Sequence, residues 1–543
     1  MMDRRKVFRL AGVAALAGTA GAAAMYLAGR RSDGLASAPF RHYPYDPVAA
    51  ENFKQKLFIP GGSGPFGVLD VGGPLQISAT AASFPILGGQ ASPFLLYQTE
   101  YAGKAYQNPI LRIESGARFQ ATLHNALQEP TIIHWHGLDV PGAMDGHPAS
   151  SIGPGGRFEY DFKVKNRGGT YWYHSHAHGL TAKQAYGGLA SFFLVEDEDQ
   201  RRLNKALDLR LGETDVPLVI QDKKFDAAGG MRYQPNMQED MMGFLGDVIL
   251  CNLTPNAYLT VTPRIYRFRL LNGSNARIYR LAFVKGQTLL NFSVIGTDIG
   301  LLDQPQPVTE VYLSPGERID VLFDAGQAQP GEDVFLKSLA FDPMENEGSP
   351  GVMSGMMMMM GGMGSSRLPL GAEFNVLKLS VTQGERLVAA LPAVLSEIRL
   401  IRTEGAVERK IELSMEHMRF LINGKTFRMD EISFEVKRGA VEIWSISNPE
   451  RGMPHPMHMH GFPIQVVERR NSPRQLSAGA RFGSGRTAND LGWKDTVLVW
   501  SGETVKVAVD FAHDFPGDQT YVFHCHNLEH AEAGMMINFR VTG

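Results

Sequence analysis

Sixteen histidines occur in the 543 residues, and ten of them crowd into four short clusters. The first is His134-Trp135-His136-Gly137 and the second His174-Ser175-His176. The third is His455-Pro456-Met457-His458-Met459-His460; the fourth is His524-Cys525-His526, followed by His530 and Met535. Residues i and i+2 of a strand point to the same face, so each His-x-His pair can aim two imidazoles at one point. The pairs 134/136, 174/176, 458/460 and 524/526 supply eight imidazoles and no carboxylate. That donor set suits several borderline metal ions, such as copper, held together. Cys525, His455 and His530, with Met535 as a distant fourth, form a second set. Two imidazoles, a thiolate and a weak thioether are the ligands of a blue electron-transfer copper. On a strand, Cys525 points away from His524 and His526, so one strand would join a mononuclear site on one face to a cluster on the other.

Short strands must carry these pairs. The 59 glycines and 31 prolines are spread along the chain, which favours strands and turns over long helices. Residues 119–125 alternate as a half-buried strand should, and 189–195 read as a buried strand. The acidic run 196–199 ends that segment and sets a boundary near residue 200. A turn followed by a strand recurs three times, in 151–162, 311–323 and 500–507. The recurrence points to three related β-sandwich domains, in keeping with the chain length.

The rest of the sequence bounds the surroundings. A net charge of -3 gives no reason to expect nucleic acid or an acidic membrane surface as partner. Only Cys251 and Cys525 are present, so one disulfide is the most that could form; with Cys525 on a metal, Cys251 stands alone. Arg4 and Arg5 precede a weakly apolar, Ala- and Gly-rich run over 10–28, which resembles a Tat signal. A membrane anchor is the alternative, and so many small residues make a poor one. Met353, Met356, Met357, Met358, Met359, Met360 and Met363 lie among Gly and Ser in a low-complexity loop that cannot build a core.

The four histidine clusters, in this order and spacing, resemble the four signatures of multicopper oxidases, and the likeness runs through the whole mature chain. Bacterial laccases and copper-efflux oxidases are the most similar members, since they share a Met-rich insertion and a Tat-type signal. The resemblance implies an all-β fold of three cupredoxin-like Greek-key β-sandwich domains. Their expected extents are 39–200, 201–385 with the Met-rich loop 353–363, and 386–543, after a signal and leader over 1–38. It implies four copper ions: type 1 held by His455, Cys525, His530 and Met535, type 2 by His134 and His458. The two type 3 ions would be held by His136, His174, His176, His460, His524 and His526. It implies that electrons enter at type 1, cross Cys525 to His524 and His526, and reduce dioxygen to water at the other three ions. Asp145 stands where the family carries an acid beside the cluster; an ordinary turn residue is the alternative. Two departures are visible. Ala531 replaces the Glu that usually follows the second type 1 His, and Glu532, one later, is expected to point elsewhere. Arg451 replaces an acid that binds substrate copper, whereas Met453 is kept. The expected reductants are Cu(I), favoured by the soft thioethers, or phenols and aromatic amines. A copper storage or delivery protein on the same scaffold is the alternative. The expected setting is periplasmic or extracellular, as a monomer without stable membrane insertion.

Overall fold

The computed structural model describes residues 52–543 apart from 85, 88–90, 347–365, 388–389, 450–452, 478 and 482. The signal segment, the loop 353–363 and Arg451 therefore lie outside the described residues. Among the described residues the strands form six sheets, which follow one another along the chain as three pairs. The first pair, of six and five strands, packs around Phe119, Trp135, Tyr160, Phe162 and Phe193. The second, of seven and eight strands, packs around Phe268, Phe283, Phe323 and Leu377. The third has two five-stranded sheets around Trp444, Phe523, Phe539 and Met457. This is the expected all-β architecture of cupredoxin-like sandwiches. One short strand departs from chain order: Gln55–Lys56 pairs in parallel with Ala257 and Tyr258 of the second pair of sheets.

The strands that matter carry side chains that are buried on both faces. In Gln519–Cys525, Tyr521, Phe523 and Cys525 enter the third core, while His524 faces away from it. His455–Met459 runs antiparallel beside it with Met457 opposite Cys525 and His458 opposite His524. Gly169–Ser175 likewise sets His174 opposite His134. Antiparallel register thus turns four sequence pairs into facing imidazoles. The first and third sandwiches lock together through side chains. Tyr521 Oη donates to the Val140 carbonyl at 2.7 Å, and the Gln519 side chain accepts from Gly142 N at 2.9 Å.

Some elements were not expected. The acidic run ends the strand Ala190–Glu196, as expected, and leads into a helix that was not expected, Glu198–Leu207. Asp197 caps the helix by accepting from Gln200 N, and Glu198 and Asp199 occupy its first turn, where the helix dipole favours anions. Among the described residues, no helix is long and apolar enough to cross a membrane.

Candidate metal centre

Six of the eight clustered imidazoles reach a common point with one ring nitrogen already committed. His134 Nδ1 faces the Asp145 carbonyl at 2.7 Å, and His458 Nδ1 the Asp495 carbonyl at 3.0 Å. His174 Nδ1 and His524 Nδ1 face the Ser175 and Cys525 carbonyls, each at 2.9 Å. A carbonyl only accepts, so these nitrogens carry the proton and each Nε2 keeps a lone pair. His460 reaches the same state through Asp145 Oδ2 at 2.6 Å. His136 is the mirror case, with Nε2 on Asp495 Oδ1 at 3.0 Å and Nδ1 left free.

The free nitrogens then face one another. The Nε2 atoms of His134 and His458 are 3.3 Å apart, those of His460 and His524 3.1 Å, and those of His176 and His524 3.3 Å. His136 Nδ1 is 3.4 Å from His174 Nε2. Lone pairs this close repel unless something positive lies between them. Burial first, and neighbouring imidazoles after it, hold His174, His176, His460, His524 and His526 well below the ordinary imidazole range, which disfavours a proton on these rings. Both ring nitrogens of His526 and Nδ1 of His176 are buried with no hydrogen-bond partner among the described residues. Donor atoms fall within 4.8 Å of one another in the sets His134/His136/His458, His136/His174/His526 and His176/His460/His524. The arrangement fits metal ions and fits little else.

The other face of the same strand holds the second set. Cys525 Sγ lies 3.6 Å from His455 Nδ1 and 3.9 Å from His530 Nδ1, and those two nitrogens are 3.2 Å apart. His530 rides on the helix Leu528–Glu532, and its Nε2 faces the Met241 carbonyl at 3.0 Å, which leaves Nδ1 free. Burial lowers His455 to about 3 and pushes the Cys525 thiol well above its usual range. The thiol therefore ionises only against a cation, which again fits a metal. Met535 is buried in the same core, and its carbonyl accepts from Cys525 N at 3.0 Å. Cys251 is a free, buried thiol of the second core.

Asp145 is fully buried and touches two histidines, His134 through its carbonyl and His460 through its carboxylate. Gly146 makes this turn: its φ is +78°, and a Cβ there would stand 2.0 Å from the Ile133 carbonyl oxygen. Met453 is buried, with its carbonyl bonded to Asn448 Nδ2 at 2.6 Å. Glu532 Oε1 accepts from Ala182 N at 2.8 Å. Glu532 and Ala531 line one small cavity together with His176 and His524. Residues 528–532 are helical, so successive side chains turn by about 100°.

Sequence reasoning missed a second carboxylate. Asp495 accepts from Arg318 Nη1 at 2.8 Å and from Thr496 Oγ1 at 2.9 Å while facing His136, and its carbonyl faces His458. Burial opposes its charge, but Arg318 and His136 outweigh that and hold it well below the usual carboxylate range. Nothing in the spacing of 495 from the clusters marks it. Also missed was the helix Met237–Met242, whose Met241 carbonyl steadies His530.

Known proteins agree with this geometry. Two family models described as Multicopper oxidase match residues 93–200 and 402–543. A laccase of Bacillus subtilis is 31% identical over 448 residues, covering 77% of this chain and 81% of its own. The cell division protein FtsP of Sodalis glossinidius is 31% identical over 439 residues, covering 80% and 83%. The crystal structure of the McoA multicopper oxidase of Aquifex aeolicus superposes with a TM-score of 0.79 at 39% identity, over 90% of this chain and 100% of that one. With its paired imidazoles and its buried thiol built on cupredoxin sandwiches, the chain belongs to the multicopper oxidase family and is a copper-dependent oxidoreductase that uses dioxygen as acceptor.

Proposed function

We propose that the chain couples four one-electron oxidations of a small reductant to the reduction of dioxygen to water, with four copper ions. His455, Cys525, His530 and Met535 would hold the type 1 ion, and His134 and His458 the type 2 ion. His136, His174 and His526 would hold one type 3 ion, and His176, His460 and His524 the other. Copper so held supplies one-electron exchange at the thiolate and dioxygen reduction among the eight imidazoles. The chain's own part is to fix each imidazole tautomer by a carbonyl or carboxylate and to join the two sites covalently through Cys525 and its neighbours. Asp145 keeps a proton on His460 Nδ1 and is placed to pass protons to the site. The observation that carries this reading is the set of buried imidazole nitrogens facing one another across 3.1 to 3.4 Å.

For the reductant we propose Cu(I), with phenols and aromatic amines also accepted, and a role in copper tolerance. Thioethers favour Cu(I). Thioethers are exposed near two contacts of His530: Met237 is 60% exposed on the helix bearing Met241, and Met418 is 51% exposed two residues before Phe420, whose ring stacks on His530. The methionines 353, 356–360 and 363 would add to this supply. Met453, two residues before His455, would join them although it is buried. Deleting 353–363 is expected to lower Cu(I) oxidation and to leave or raise the rate on bulky phenols. Equal loss on both would argue for a folding role of the loop. The same methionines favour one second reading, copper storage or delivery; oxygen consumption that tracks added reductant would exclude it. Export by the Tat route to the periplasm or beyond, a monomeric state and domains at 39–200, 201–385 and 386–543 complete the proposal.

A further inference from the structure

Behind the histidine set 136/174/526 lies a single tryptophan. The Trp172 ring stacks on His174 with centroids 4.3 Å apart, and stands 4.9 Å from His136 and 5.5 Å from His526. It is buried, and its Nε1 has no hydrogen-bond partner among the described residues. The same ring lines a cavity on its way to the second sandwich. Ile110, Phe192 and Phe94 form the wall on one side, and Val219 and Leu271 the wall on the other.

The cavity offers about 30 Å³ to the centre of a water-sized sphere, which exceeds the roughly 10–15 Å³ that one water needs. Size therefore does not exclude water; chemistry does. Apart from Trp172 Nε1, a single donor where a buried water needs at least two partners, the polar side chains on its wall are bonded elsewhere. Ser191 Oγ donates to the Asn108 carbonyl at 2.8 Å, and Gln221 Nε2 to the Gly273 carbonyl at 3.1 Å. Asn252 Nδ2 donates to the carbonyls of Phe58 and Pro217, and Asn252 Oδ1 accepts from Val219 N at 2.9 Å. A buried water requires two to four polar partners, and apolar cavities without them stay dry and take up xenon or small apolar molecules. The one apolar small molecule that this family's reaction consumes is dioxygen.

We propose that this cavity is a dry holding site for dioxygen and that Trp172 forms the wall between it and the histidine cluster. The inference rests on the reading of His136, His174 and His526 as part of the dioxygen site. Trp172 acts through the imidazoles it packs against and is a positioning residue. Gas reaching the cavity between the two sandwiches would be concentrated one ring's thickness from the cluster, while water and its protons are kept out of that side.

The test uses the copper-loaded protein. Crystals held under xenon are expected to show the gas seated against Trp172, Phe192 and Leu271. Val219→Phe fills the cavity from the side away from the cluster. It is expected to expel the xenon and to lower the second-order rate of reoxidation by dioxygen at least threefold. The rate of reduction by a phenol should not change. Ala190→Val, a smaller filling, is read in the same way if the first variant fails to fold. Ordered water in place of xenon would overturn the proposal. So would a filled cavity with an unchanged dioxygen rate. Failure of copper to load at the histidines is read separately, by metal content, and would overturn the reading of the cluster itself.

Discussion

Asp145→Asn separates the two tasks assigned to this carboxylate. The substitution keeps the main-chain contact to His134 Nδ1 at 2.7 Å and leaves an amide oxygen facing His460 Nδ1, where Oδ2 now stands at 2.6 Å. A hydrogen bond to a charged group contributes about 1.5–3 kcal/mol and a neutral one about 0.5–1.5. The loss of charge therefore costs about 1–1.5 kcal/mol, which is roughly tenfold in copper affinity at His460. The second task is proton supply, where general acid catalysis contributes about 10²–10⁴-fold. Ala531 offers no carboxyl on the neighbouring face, but Glu532 lines the cavity at His176 and His524. The expected fall in dioxygen reduction is therefore at least tenfold, toward the lower half of that range. Parent and variant are loaded to equal copper, reduced without oxygen, and mixed with it while the return of the blue absorption is followed. Reoxidation as fast as in the parent at equal copper would mean that Asp145 is only a turn residue.

Three other outcomes follow from named contacts. Asp495→Asn breaks a buried pair with Arg318, a class of change that costs about 3–5 kcal/mol, and should lower cluster copper affinity about 10–100-fold while the blue band persists; chelator competition and urea unfolding read both, and an unchanged affinity would remove Asp495 from the site. Copper-free protein should lose stability as pH falls. Buried His455 takes a proton only near about 3 whereas an unfolded imidazole takes it near 6.5, so the unfolded chain binds more protons throughout that window and gains up to about 1.4 kcal/mol per pH unit from this residue alone. The other lowered imidazoles act in the same direction, and a flat urea-unfolding profile between pH 7.5 and 5.5 would contradict their burial as neutral rings. Gly146→Ala should displace the Asp145 turn, since its Cβ would meet the Ile133 carbonyl oxygen at 2.0 Å; copper content after loading should drop, and full loading would show that the turn can shift without disturbing the histidines.

The metal centre was legible because its information is local. Alternation along a strand decides where His134 and His136 point, and the neighbours of Cys525 decide that thiol and imidazoles take opposite faces. Residues 119–125 were legible for the same reason, as the strand Arg118–Asn125 alternates between buried and part-exposed positions. What escaped was set by distant contacts or by helix geometry. Asp495 reaches His136 across 359 positions and depends on Arg318 from another sandwich, so no window of sequence contains the pair. The helix Glu198–Leu207 was missed because charge was weighed and the cap Asp197 was not. Trp172 carries no mark in the sequence, since the three imidazoles against its ring come from three separate stretches of chain.

The central claim is that one strand carries a thiolate-held copper on one face and part of a copper cluster on the other. Cys525→Ser tests it most directly, through copper content and visible absorption measured together on the loaded protein. A serine hydroxyl cannot give the thiolate-to-copper charge transfer, so the blue absorption and the oxidase activity should vanish while the cluster still takes up copper. A variant that stays blue would contradict the assignment of Cys525, and one that loses all its copper would contradict the independence of the two faces.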